Sequence, residues 1–149
     1  MPEKETLERA RKDKREGKAA STQAGEFVRE EIEHIREGKH GARSTKQAIA
    51  IGLSKARRAG VDLPPSETAS EETKQQAKRD LRKGAKRASS KKSRKSRKRS
   101  QATLSALKRE GRSAATKRAL SRQARGAAKK RSAKSRSRSA KKAAATRKK

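Results

Sequence analysis

Apolar positions recur at helical spacing in one region of the chain. In STQAGEFVREEIEHIREG, Ala24, Val28, Ile32 and Ile35 fall on one stripe, with Phe27 and Glu31 on its flank. That spacing predicts an amphipathic helix. Thr22 or Gly25 can open it, and Gly38 can close it in the left-handed conformation. A second stripe follows in STKQAIAIGLSKARRAG, where Ile49, Gly52, Leu53, Ala56 and Ala59 align from Thr45. Ser44 with Gln47 three residues on reads as a capping box, and Gly60 as a stop. Two matched stripes and a short connection over 38–43 predict a helical hairpin at about 22–37 and 45–59. Gly52 lets the partner helix come close. Ile51 falls off its stripe. So few large apolar residues offset the ordering entropy poorly, so the hairpin should gain from weak self-association or from a third helix, with Ile51 as the contact.

Elsewhere the apolar pattern thins. Residues 3–16 read as a charged helix, with Glu5–Arg9 and Glu8–Lys12 at i,i+4, the acid leading. Leu7 and Ala10 make no stripe, so residues 1–20 read as a solvated arm. Residues 61–66 hold Pro64 and Pro65 and read as a linker, from which Leu63 can fold back. Residues 67–83 form a candidate helix capped by Ser66 or Ser70 and ended by Gly84. Its acids come first and its bases last, which suits the helix dipole, but its stripe, Ala69, Thr73, Ala77 and Leu81, is thin. The chain thus divides into 1–20, the hairpin 21–60, the linker 61–66, the helix 67–84 and a tail, 85–149. The fold class expected is mainly α with extensive disorder in that tail.

The tail changes the picture through charge. Of the chain's 47 Lys and Arg, 27 lie in residues 86–149 against the single acid Glu110, which leaves +26 of the total +31 there. The segment has no aromatic residue, Pro, Val or Ile. Such a chain repels itself and buries little, so it is expected to be disordered alone and to seek a polyanion. At one duplex charge per ~1.7 Å, its cations match roughly 44 Å of DNA. The nucleic-acid-binding set is therefore Lys91, Lys92, Arg94, Lys95, Arg97, Lys98, Arg99, Lys108, Arg109, Arg112, Lys117, Arg118, Arg122, Arg125, Lys129, Lys130, Arg131, Lys134, Arg136, Arg138, Lys141, Lys142, Arg147, Lys148 and Lys149. Arg43, Lys46, Lys55, Arg57 and Arg58 form a secondary set, because residues 43–58 hold no acid, whereas 26–37 carry a net −3. TLSALKREGRSAA (103–115) and TKRALSRQARGAA (116–128) repeat with seven identities, each able to become a short helix once phosphates cancel the repulsion. Ser beside Arg in the flanking tracts is a phosphorylation context that would weaken polyanion binding.

Other chemistry is excluded or missing. With 28% hydrophobic residues, one Phe and no Trp or Tyr, no sizeable core is expected. There is no Cys, no apolar run of membrane-spanning length and no apolar core at the start to act as a signal peptide. His34 and His40 lack evident metal partners, His40 reading as a turn residue or phosphate contact. The carboxylates read as solvated faces. No catalytic constellation, cofactor motif or metal site is expected, and so no enzyme.

Two resemblances carry the argument further. The tail, ending in KKAAATRKK, resembles those of linker histones and bacterial histone H1-like nucleoid proteins, without their Pro-Lys-Lys repeats. EFVREEIEHIREGKHGARSTKQAIAIGLSKARRAG (26–60) resembles a small bacterial helical domain family of unknown function that shares the KQAIAIxLSxARxAG helix. These imply a bacterial source and a non-enzymatic, sequence-tolerant DNA-binding protein located in the cytoplasm at the nucleoid. RNA or the ribosome is the alternative target, and an adaptor whose hairpin docks a protein partner is the alternative role. The absence of aromatic residues for base stacking favours duplex DNA, and the lack of a bulky apolar face argues against a membrane partner.

Overall fold

The computed structural model describes residues 2–67, 69–87 and 97–147. Among them the chain is mainly helical and has no strand. The helices are α1 (Lys4–Arg15), α2 (Ala20–Arg36), α3 (Thr45–Arg58), α4 (Glu71–Arg87), α5 (Arg97–Lys108), α6 (Lys117–Lys129) and α7 (Ala133–Arg147), with a 3-10 turn at Ser113–Ala115. None is long and apolar enough to cross a membrane.

The hairpin is α2 and α3, and α2 packs on both α1 and α3. Its crossing point is Gly52, where an added Cβ would stand 2.7 Å from the Val28 Cα. The Ser44 hydroxyl accepts from the Gln47 amide at 3.2 Å. The Gln47 side chain returns to the Arg43 amide at 2.8 Å, closing the capping box one residue early. Gly38 ends α2 at φ +79°. α2 begins at Ala20 with no side-chain cap, earlier than Thr22 or Gly25.

Two apolar clusters hold the bundle. One gathers Ala10, Ala24, Phe27, Ala56 and Val61, flanked by Leu7, Leu53 and Leu63. The other gathers Ile32, Ile35, Ala42, Ala48, Ala114 and Ala115, flanked by Val28 and Leu120. The buried ridge of α3 is thus Thr45, Ala48, Gly52 and Ala56. Ile49 and Ile51 are half-buried and belong to neither cluster. A small residue every fourth position permits the close crossing that a ridge of Ile would prevent.

Three sequence expectations need correction. First, residues 1–20 are not a solvated arm. α1 docks with few apolar groups because polar ones hold it: the Glu3 amide donates to Glu30 Oε2 at 3.0 Å, Arg9 Nε donates to Glu26 Oε2 at 2.7 Å, and Thr6 is fully buried. Second, α4 runs through Gly84 to Arg87. It packs on α3 through Ala77, Asp80 and Gly84 rather than through Leu81, and a Cβ at Gly84 would collide with the Arg57 carbonyl. Third, the tail expected to be disordered carries α5, α6 and α7, and part of it joins the core. Ala114 and Ala115 sit beneath the hairpin, supplying the apolar area that α2 and α3 lack.

The two repeat copies adopt different structures. Gly111 stands where the second copy has Ala124, so the first copy breaks after α5 into the 3-10 turn while the second continues as α6.

Candidate nucleic-acid interface

From Lys98 to Lys141, every tail cation of the expected set whose side chain is described is exposed. Arg97, Lys142 and Arg147 lie within α5 and α7. Lys91, Lys92, Arg94, Lys95, Lys148 and Lys149 lie outside the described residues. α6 orders part of this charge. Thr116 caps it, its hydroxyl accepting from the Ala119 amide at 3.3 Å, and Leu120 turns toward the core. Arg118, Arg122, Arg125 and Lys129 then line one shallow groove with Ser121 and Gly126. Their i, i+4, i+7 and i+11 spacing makes a continuous cationic row. Arg131 is engaged within α7, donating to the Ser139 and Ser135 hydroxyls at 2.5 and 3.1 Å.

The secondary set divides. Arg43 and Lys46 are exposed. Lys55 lies 3.2 Å from Glu30 Oε1 and 2.6 Å from Glu31 Oε2. Arg57 Nε donates to the Leu63 carbonyl at 2.8 Å, and Arg58 Nε to Asp80 Oδ1 at 2.7 Å. Lys55 and Arg58 are thus paired by acids distant in sequence, and Arg57 by a backbone carbonyl. Burial pushes the Asp80 carboxyl up, but hydrogen bonds from Ser54, Arg58 and Gln76 outweigh it and hold the group below its ordinary range.

Among the described residues, the tail is hydrogen-bonded to the head at residues 107–115. The Gly41 amide donates to the Leu107 carbonyl at 2.9 Å, and the Ala42 amide to the Gly111 carbonyl at 3.1 Å. The Thr45 hydroxyl donates to the Ala114 carbonyl at 2.7 Å, and Arg36 Nε to the Ala115 carbonyl at 3.0 Å. A Cβ at Gly41 would collide with the Glu110 carbonyl, so only glycine admits the tail so closely. Residues 107–115 are thereby clasped by the hairpin loop and the start of α3.

The carboxylates of α2 are not all solvated, contrary to the sequence expectation. Glu30 and Glu31 are buried, at 2% and 0% exposure. Burial pushes the Glu30 carboxyl up. The Glu3 amide, the Thr6 hydroxyl and Lys55 more than offset this and leave it below its ordinary range. His34 Nε2 donates to Glu3 Oε1 at 2.8 Å. His40 folds back so that Nε2 stands 3.4 Å from Glu31 Oε1. Glu31, His34 and His40 can therefore offer three ligand atoms within 4.8 Å of one another. From sequence the histidines lack evident metal partners, because Glu31 stands on the flank of an apolar stripe and His40 in a turn. The Glu-x-x-His spacing of Glu31 and His34 was the available signal.

Residues 4–67 match the model of a family of unknown function (DUF6496). This supports a small domain comprising α1 to α3 and the linker 61–66. It contains the 26–60 stretch and adds α1, in keeping with the docking of α1 on α2. Comparison with curated proteins and with solved structures gives no match.

Proposed function

We propose that the chain is a non-enzymatic, largely sequence-independent DNA-binding protein, acting like a histone H1 tail at the nucleoid. The carrying observation is the concentration of +26 within residues 86–149, together with the exposure of the described cations from Lys98 to Lys141. Lys and Arg neutralise phosphates and release counterions, which requires no fixed base contacts. The α6 row of Arg118, Arg122, Arg125 and Lys129 presents a stretch of charge already ordered for a backbone. No aromatic residue in the tail offers a stacking platform, which favours a duplex over single strands.

A gel-shift series in salt tests this reading. With ten phosphates engaged, log K should fall against log salt with a slope of about −9. A flat response, or no duplex binding at low salt, overturns it. Competition with ribosomal RNA decides between the two polyanions, and tighter RNA binding would move the role to the ribosome.

A further inference from the structure

We propose that Glu31, His34 and His40 form a Zn²⁺ site that fastens the hairpin loop. Among the described residues, neither carboxylate oxygen of the fully buried Glu31 accepts a well-directed hydrogen bond. Lys55 Nζ approaches Oε2 at 2.6 Å and provides charge, which leaves Oε1 facing His40. His40 Nδ1 donates to the Gly41 carbonyl at 3.1 Å. That bond leaves neutral His40 with a lone pair on Nε2, the atom 3.4 Å from Glu31 Oε1. Two acceptors thus face each other at a buried position, an arrangement that calls for a cation between them.

The outer contacts are those of a metal site. His34 donates one ring nitrogen to the Glu3 carboxylate, and His40 donates one to a backbone carbonyl. Such partners fix the tautomer and leave the second nitrogen free to ligate. A tetrahedral ion with bonds of ~2.0–2.1 Å sets its donor atoms about 3.4 Å apart. The His40–Glu31 pair already has that spacing, and the whole triad lies within 4.8 Å. Two imidazoles and a carboxylate suit Zn²⁺. The histidine side chains keep 13% and 10% exposure, enough for a water to complete the shell. Such an ion would tie α2 to the loop whose next two amides hold the tail.

Calorimetric titration of the metal-stripped full-length protein with ZnCl₂ tests the site. One Zn²⁺ per chain is expected. His40→Gln and His34→Gln should each weaken it at least about 10-fold, since losing an outer partner alone costs 10–100-fold. Glu3→Gln leaves the ligands in place and should weaken it about 10-fold. Circular dichroism verifies that each variant folds. Co²⁺ should give the intense visible bands of a four-coordinate site, lost in His40→Gln. Long-range ¹H–¹⁵N spectra of the unmodified protein provide a readout independent of the variants. Movement of both histidine rings on saturation with Zn²⁺ supports the site. Rings that ignore Zn²⁺, with His40 an imidazolium paired to Glu31, overturn it, as does uptake unchanged by both histidine substitutions.

Discussion

α3 and α6 use the same side chains in opposite ways. On α3, Lys55 and Arg58 meet the buried acids Glu30, Glu31 and Asp80, and Arg57 meets a carbonyl. On α6, Arg118, Arg122, Arg125 and Lys129 line an open groove. Composition does not separate the two helices. What separates them is whether an acid arrives from elsewhere in the fold. Residues 1–85 hold 15 of the chain's 16 acids, so Lys55 and Arg58 find acidic partners, while the tail has Glu110 alone. Lys55, Arg57 and Arg58 serve cohesion on α3, while the cations of α6 stay exposed.

The contrast can be broken most sharply by removing one side of it. A chain ending at Arg87 should lose duplex affinity by at least about 10³-fold at 50 mM salt, because +24 of the +31 net charge is gone. Undiminished binding would show that the head carries the interface. Next in size is the helix crossing. Gly52→Val forces a side chain against the Val28 backbone and should cost roughly 1–3 kcal/mol, read as a lower urea midpoint.

A smaller effect tests the pairing of head cations. Asp80→Asn weakens the acceptor for Arg58 and Ser54 and should cost about 1–3 kcal/mol at neutral pH. The folded carboxyl titrates below its unfolded value. Its stabilisation is therefore present above the unfolded pKa of about 3.9 and lost as pH falls through the lower folded value. The difference between the native protein and Asp80→Asn should shrink across that window in urea melts. An unchanged difference would show that Arg58, Ser54 and Gln76 do not depend on the charge. Smallest is the clasp. Thr45→Val removes one hydrogen bond to the Ala114 carbonyl and should cost about 0.5–1.5 kcal/mol. Faster amide exchange at Ala42 would report the loosened tail.

The hairpin was legible because apolar periodicity, Ser44, Gly38 and Gly60 all agree. The docking of α1 was not. It rests on a backbone amide, a threonine and an arginine meeting α2, which leave no stripe behind. Burial of Glu31 was hidden for a related reason. A carboxylate beside an apolar stripe reads as solvated unless its cation is known, and Lys55 comes from the next helix. The clasp was hidden because its acceptors are carbonyl groups, which every residue carries. Gly41 was the one trace, and beside Gly38 it read as part of a turn. The exposed α6 cations were legible, since charge with no acid nearby has few other places to go.

Pinning residues 107–115 under the hairpin has a consequence for grip. It divides the polycation into a stretch joined to the head at both ends, by α4 and by the clasp, and a length beyond the clasp that carries α6 and α7. If the chain binds a duplex as proposed, phosphates held by one part bring the other to them at an effective concentration set by the length of chain between the two.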